Sequence, residues 1–417
     1  SYDQMIHEVA NNLKSTTGAI LILLFVGALA GTWLISGVIP TMIYYGLKLL
    51  NPTFFLPATV VICAIISIAT GSSWTTSATV GIALIGIGGA MGISLGMVAG
   101  AVLSGAYFGD KMSPLSDTTN LAPAMAGTDL FTHIRYMVYT TVPSIVITLI
   151  VFIILGLSGD VKGEADTTAI LASIDEAFYI SPWLFLVPAM VIFLIIRKTQ
   201  PLVALLIGTL LGALFALLFQ PDVVAKLANV EQLDFKSAYM GVMNSMTVDT
   251  SIETSNEQLN DLFTSGGMAG MLSTIWLIIC ALVFGGIMDA IGALAKISSA
   301  MLSMANSVFG LFFSTTASCI VLNVTASDQY LAIVVPGKMF SKAYALKGLA
   351  PENLSRTLED SGTVTSVLVP WNTCGAYQSK VLGVSVQDYF VYAIFNYLSP
   401  IMTLIFAAFQ IKIRKLT

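Results

Sequence analysis

Four short segments gather hydroxyls, amides and carboxylates beside long apolar runs. The first is Thr70-Gly71-Ser72-Ser73-Trp74-Thr75-Thr76-Ser77, and the second is Thr325-Ala326-Ser327-Asp328-Gln329. The third, Gly109-Asp110-Lys111-Met112-Ser113-Pro114-Leu115-Ser116-Asp117-Thr118-Thr119-Asn120, has a proline and enough hydroxyls to unwind a helix. The fourth runs Glu359-Asp360-Ser361-Gly362-Thr363 and continues to Pro370-Trp371-Asn372-Thr373-Cys374-Gly375. Hard cations such as sodium take oxygen ligands, and unwound carbonyls with Ser, Thr, Asn and Asp side chains supply them. Asp117 and Asp328 are the candidate carboxylates. Ser72, Ser73, Ser116, Thr118, Asn120, Asn372 and Thr373 are candidate further donors, with Asp110, Asp360, Thr70 and Thr325 behind them. A carboxylate removed from water favours its protonated form, and a cation beside it favours the ionised form. Competition between a proton and a sodium ion for such a group is exchange.

Each of these residues has a structural alternative. Ser and Thr in membrane helices often bond to the preceding turn or to a neighbouring helix. Asp110 with Lys111, and Glu359 with Asp360, can be helix-end or interface charges. Lys111 and Lys380 could hold an organic carboxylate, or Lys111 could close an ion pair with Asp110. Asp289 reads as the cytoplasmic end of an apolar helix, and His7 and His133 read as surface residues. Cys63, Cys280, Cys319 and Cys374 lack metal-ligand spacing and read as small apolar packing residues, so no transition-metal site is expected. No Ser/His pair, two-Asp protease motif, metal-binding helix or GxxxxGK loop occurs at usable spacing, which argues against an enzyme, a cofactor and coupling to ATP hydrolysis.

The elements that must position these groups are transmembrane helices. Of 417 residues, 56% are hydrophobic and 10% charged, and mean hydropathy is +0.87. Eighteen Lys and Arg against 23 Asp and Glu give a net charge of −5, which leaves no basic surface for nucleic acid. The expected spans are Gly18–Gly37, Pro52–Ile68, Arg135–Leu155, Pro182–Ile196, Pro201–Phe219, Met268–Met288, Ser307–Leu322 and Tyr389–Ile411. Thr76–Phe108, Leu331–Phe340 and Thr363–Lys380 are apolar but rich in small and hydroxyl residues, and read as re-entrant or broken helices. Residues 1–15 read as an amphipathic stretch and not as a signal peptide. Lys412, Arg414 and Lys415 place the C-terminus in the cytoplasm. Walking back, Lys338, Lys342, Lys347, Arg356, Arg197 and Lys198 also fall inside, and the acidic loops Ser158–Ile180 and Gln220–Phe263 fall outside with only Lys162, Lys226 and Lys236.

One sequence offset recurs. Adding 255 maps Gly31 and Gly37 onto Gly286 and Gly292, Asn51 and Phe54 onto Asn306 and Phe309, and Thr70 and Ser72 onto Thr325 and Ser327. Pro143 maps onto Pro400 with two extra residues. The matched spans run in opposite directions, so the expectation is two inverted repeats, 18–157 and 264–417. They are joined by a linker, 158–263, that holds two scaffold helices and an external acidic loop. Two helices precede the second repeat but only residues 1–17 precede the first, which suggests a missing N-terminal helix pair.

The stretches Thr70–Thr79, GDKMSPLSDTTNLAPAMAGTDLFTHIRY (Gly109–Tyr136) and VPWNTCG (Val369–Gly375) resemble the NhaC-type sodium/proton antiporters of the ion transporter superfamily. The likeness covers essentially the whole chain. It implies an all-α, elevator-type transporter in which two re-entrant hairpins and two unwound helices slide against a dimeric scaffold. The tips would be Thr70–Thr75 and Thr325–Gln329, and the unwound segments Ser113–Asn120 and Trp371–Thr373. It also implies further N-terminal helices. The function expected is export of sodium, or lithium, in exchange for protons across the cytoplasmic membrane. Relatives exchange malate or lactate or carry amino acids, so a small organic substrate coupled to the same ions is the alternative. The shortage of intramembrane Arg counts against a dicarboxylate, and an acidic site suits a cationic amino acid. Paired re-entrant elements around midplane carboxylates disfavour a passive channel.

Overall fold

The computed structural model describes residues 2–158, 167–255, 257–303 and 305–416, so Lys162 lies outside the described residues. These are helical almost throughout, with one two-residue strand pair, Thr250–Ser251 against Thr264–Ser265. Six helices among the described residues are long and apolar enough to cross a bilayer: Thr16–Ile35, Pro52–Thr70, Leu130–Leu157, Pro201–Phe219, Ala269–Ala290 and Val308–Thr325. Each coincides with an expected span, with ends that differ by a few residues. The protein is a multi-pass membrane protein of mostly helical fold.

Pro182–Ile196 forms with the expected bounds, whereas Tyr389–Ile411 is broken. Pro182–Ile196 opens with a tight 3₁₀ turn, Pro182–Phe185, before the helix Leu186–Ile196, and together they bend 84° from Thr168–Ala177. Tyr389–Ile411 is two pieces, Val386–Phe390 and Ile394–Ala408. The break falls where the Tyr392 backbone lies against Gly100, so closely that a Cβ at Gly100 would sit 2.4 Å from the Tyr392 carbonyl carbon. The amphipathic start does not stand apart either, because Tyr2–Ile35 is one continuous helix.

Two hairpins and two interrupted helices make up the polar heart of the molecule. Pro52–Thr70 turns at Gly71 and Ser72 into Ser73–Thr76, a wide π turn at Ser77–Gly81, and Ile82–Ala90. Val308–Thr325 turns at Ala326, Ser327 and Asp328 into Gln329–Leu346. Leu95–Met112 is interrupted before Asp117–Ala126, and Pro351–Leu358 passes through a π turn, Glu359–Thr363, before Thr373–Leu382. The interruption at 113–116 is shorter than the expected Ser113–Asn120, because Ser116 caps the next helix by accepting from Thr119 N at 3.4 Å. Equivalent features recur 256 positions apart: Asp117–Ala126 and Thr373–Leu382 have the same length, and each ends at a glycine with positive φ, Gly127 and Gly383.

Lipid tails give helices no hydrophobic reason to associate, so close approach at small residues has to hold them together. Leu95–Met112 packs along Pro52–Thr70 through Gly105 and Gly109, where a Cβ would lie 2.2 Å from Val60 O and 2.5 Å from Ala64 O. Ser67 Oγ donates to Ala106 O at 2.6 Å across the same seam. The loop after Pro201–Phe219 folds into Pro221–Leu227 and Phe235–Thr247, the latter started by a reciprocal cap between Asp234 and Ser237.

Candidate functional site

The four polar segments meet at one cavity of about 600 Å³. The first tip contributes Thr70, Gly71, Ser72 and Trp74, and the second Asp328, Gln329 and Tyr330. The first interrupted helix contributes Asp110 and Leu115 to Thr118, and the second Thr373 and Cys374. Thr16, Gly18 and Ile22 of the first helix and the loop Lys198 to Pro201 complete the wall.

Local rules explain why these segments present oxygens. Every break starts a new helix whose first N–H groups need an acceptor. Ser72 accepts from Thr75 N at 3.2 Å, Asp328 from Leu331 N at 3.0 Å, and Asn372 from Cys374 N at 3.0 Å. A break also brings a helix C-terminus and a helix N-terminus together, so carbonyl oxygens and N–H groups are both available to a ligand. The second tip and the second break are tied directly, by Thr373 N donating to Ser327 O at 3.0 Å.

The predicted residues fall into two groups. Asp117, Asp328, Asp110, Ser72, Ser116, Thr118, Thr70 and Thr373 all line the cavity. Asp117 is exposed at its open side, with no hydrogen bond or ion pair from its side chain among the described residues. Ser73 lies just behind, donating to Asp110 Oδ2 from both Oγ (2.6 Å) and N (3.1 Å). Ser116 and Thr118 hydroxyls share a hydrogen bond of 3.1 Å. Asn120, Asn372, Thr325 and Asp360 do not line the cavity. Asn120 Nδ2 braces the break by donating to Ser116 O and Pro114 O, and Asn372 Nδ2 donates to Asn323 O and Oδ1. Thr325 bonds back to Val321 O in its own helix.

Two expectations about charged residues, those for Lys111 and His133, are corrected. Lys111 pairs with Asp360 and not with Asp110, and both side chains are fully buried. Asp360 also accepts from Thr140, Ser399 and Thr403. Arg356, expected near the cytoplasmic end of the second broken segment, lies in the helix Pro351–Leu358. It is fully buried, 4.5 Å over the Tyr136 ring, with no hydrogen-bond partner among the described residues. His133 is not on the surface, being buried with Nδ1 2.8 Å from Ser355 Oγ. Among the cysteines, Cys63, Cys319 and Cys374 are buried, but Cys280 is exposed and Cys374 also borders the cavity.

Glu359 was absent from the predicted set. Its π turn places it behind Thr118, which donates to Oε1 at 3.1 Å, while Oε2 has no partner among the described residues. The only signal in the sequence is the pair of adjacent acids in EDSGT between apolar segments.

A model of the Na+/H+ antiporter family matches residues 105–411, which take in both helix interruptions and the second hairpin. The chain belongs to the Na+/H+ antiporter family. Relatives resemble it over more than four fifths of their own length. The chain is 40% identical to the Na(+)/H(+) antiporter NhaC of Alkalihalophilus pseudofirmus, over 97% of this chain and 85% of that one. The malate-2H(+)/Na(+)-lactate antiporter of Bacillus subtilis is 39% identical, over 99% and 84% respectively. The arginine/ornithine antiporter ArcD of Halobacterium salinarum is 35% identical, over 97% and 81%. This family member is accordingly a transporter and not an enzyme.

Proposed function

We propose that the protein is a secondary antiporter that exports sodium, or lithium, in exchange for protons across the cytoplasmic membrane. The observation that carries this reading is the convergence of four oxygen-rich breaks on one cavity that three carboxylates, Asp110, Asp117 and Asp328, also border. Behind it, a relay of hydroxyls runs from Ser116 through Thr118 to Glu359. A buried carboxylate with an unpartnered oxygen is costly unless a proton or cation accompanies it. Glu359 and Asp117 then carry the exchangeable charge, with Ser72, Ser116, Thr118 and Thr373 as oxygen donors. Asp110, Asp328 and Ser73 hold the tips in register, and Asn120, Asn372, Thr70, Thr325 and Asp360 brace the framework.

The cavity lies between the hairpin and broken-helix set and a second set made of the first helix and the 198–201 loop. That partition supports an elevator in which repeats 18–157 and 264–417, of inverted topology, move two hairpins and two broken helices against a scaffold, assembled as a homodimer. Segment 158–263 belongs to the scaffold. With the C-terminus inside, Lys198 is cytoplasmic and the cavity opens inward.

The test is purified protein in liposomes with an internal pH dye. Sodium alone should drive proton movement in the wild type, and Glu359→Gln and Asp117→Asn should each lower it at least tenfold while the protein stays folded. Wild-type rates in both variants would sink the assignment. A second reading, an amino-acid exchanger coupled to the same ions, is favoured by one feature: helix N-termini suited to a carboxylate stand beside acids suited to an amine. Silence with sodium alone and a signal only with arginine or another amino acid would select it.

A further inference from the structure

A second cavity, of about 380 Å³, lies away from the ion site, where Leu130–Leu157 begins and the chain's last residues pack back on it. Thr132, Arg135, Tyr136 and Tyr139 form its floor from one face of that helix, and Lys412 and Arg414 face them. Arg414 is neutralised by Glu352, with Nη1 2.7 Å from Oε1. Among the described residues no carboxylate lies within ion-pair distance of Arg135 or Lys412. Lys412 Nζ instead sits 5.0 Å over the Tyr139 ring. Behind the floor, the buried Arg356 guanidinium lies 4.5 Å from Tyr136, so a third unpaired cation adds to the field inside the cavity.

What enters such a place is fixed by its surroundings. The same helix continues with Val138, Val142, Val146, Ile150 and Ile154, all exposed and four residues apart, an apolar stripe suited to lipid tails. Val142, three residues on from Tyr139 and so next to it on the helix surface, brings the stripe to the rim of the basic cavity. Aromatic side chains at that boundary suit the headgroup layer. A ligand with an anionic head and two long apolar chains matches both parts at once, whereas a free anion uses only the first. We propose that this cavity is a binding site for the phosphate-bearing head of an anionic phospholipid, whose chains lie along Val138 to Ile154.

The site also lies where a bound headgroup would matter. Tyr136 Oη donates to Asn353 Oδ1 and to the Lys412 carbonyl, and Asn353 Nδ2 donates to Arg414 O at 2.6 Å. The residues that face the headgroup therefore also join Leu130–Leu157, the start of Pro351–Leu358 and the chain's last segment. An anion held there would bind these three elements more tightly.

Binding is read by native mass spectrometry of the full chain in a neutral detergent, titrated with phosphatidylglycerol or phosphatidylcholine. One phosphatidylglycerol should bind per chain in clear preference to phosphatidylcholine. Near an anionic headgroup each cation contributes enough that Arg135→Ala/Lys412→Ala should weaken binding roughly 25-fold. The charge-matched control Lys338→Ala/Lys342→Ala, at two exposed lysines elsewhere, should bind as the wild type does. If the alanine pair does not fold, Arg135→Glu alone supplies the loss, and Arg135→Lys/Lys412→Arg should bind close to the wild-type level. Equal binding of phosphatidylcholine, or undiminished binding by the alanine pair, would overturn the site. Displacement of the lipid by millimolar glycerol 1-phosphate would assign the cavity to a soluble phosphate and overturn the lipid.

Discussion

Lys111 and Asp360 are fully buried at the centre of the fold, and their charges are satisfied by each other and by hydroxyls from three further residues. Removing one member of such a pair leaves an unpaired charge out of water, at a cost of about 3–5 kcal/mol, whereas an apolar pair of similar volume is often neutral. Lys111→Met alone should therefore lose most folded protein in size-exclusion chromatography, and Lys111→Met/Asp360→Leu should recover it. Exchange by the recovered double variant marks the pair as a brace; a folded but inactive double variant would mean that Asp360 acts in transport. Neither the pairing nor the burial of Arg356 and His133 was legible in the sequence. Lys111 stands next to Asp110 in the chain, but neighbouring helical residues point about 100° apart and do not face each other. The true partner, 249 positions away, is known only once helices pack. His133 reads as a surface group because polar side chains usually are, and nothing in the sequence around Arg356 marks it as buried. The hydroxyl-rich breaks were legible because Ser, Thr, Asn and Asp end or start helices wherever they cluster.

The two hairpin tips solve one backbone problem with different residues. Each needs a left-handed residue before its capping oxygen: Gly71 at φ 71° before Ser72, and Ser327 at φ 59° before Asp328. A side chain in that conformation costs roughly 1–2 kcal/mol, which glycine avoids. At Gly71 space is a second constraint, since a Cβ would lie 2.6 Å from Leu115 Cβ and 2.7 Å from the Leu115 carbonyl carbon. Gly71→Ala should push the tip off the first break, lowering the unfolding temperature and slowing exchange several-fold. Ser327→Gly relieves strain but loosens the unfolded chain, so its stability should stay within about 1 kcal/mol of the parent, with exchange intact. A harmless Gly71→Ala would show that tip and break separate freely. The six long apolar spans were readable beforehand, because apolar run length is a local signal. The break between Val386–Phe390 and Ile394–Ala408 was not, because it answers to Gly100, nearly 300 positions earlier.

For the whole molecule the question is which side of the membrane reaches the cavity proposed as the ion site. Positive charge at chain ends and loops sets orientation, and Lys412, Arg414 and Lys415 with Arg197 and Lys198 favour the cytoplasm for one common face. Leu115 is exposed and borders the cavity that Lys198 also lines, so both report on the same entrance. In a variant with its four natural cysteines replaced, Leu115→Cys should react with a membrane-impermeant thiol reagent in inside-out vesicles, and at least tenfold more slowly in right-side-out vesicles. Sodium should slow the cytoplasmic reaction, since an occupied site draws the tips and breaks together around the ion. Faster labelling from outside would reverse the assigned orientation. Equal labelling from both sides would mean that the site spends comparable time open to each face, as an elevator permits, and would overturn the inward-open resting state: coupling survives only because the two openings alternate, since a path open to both faces at once would let sodium and protons run down their gradients independently.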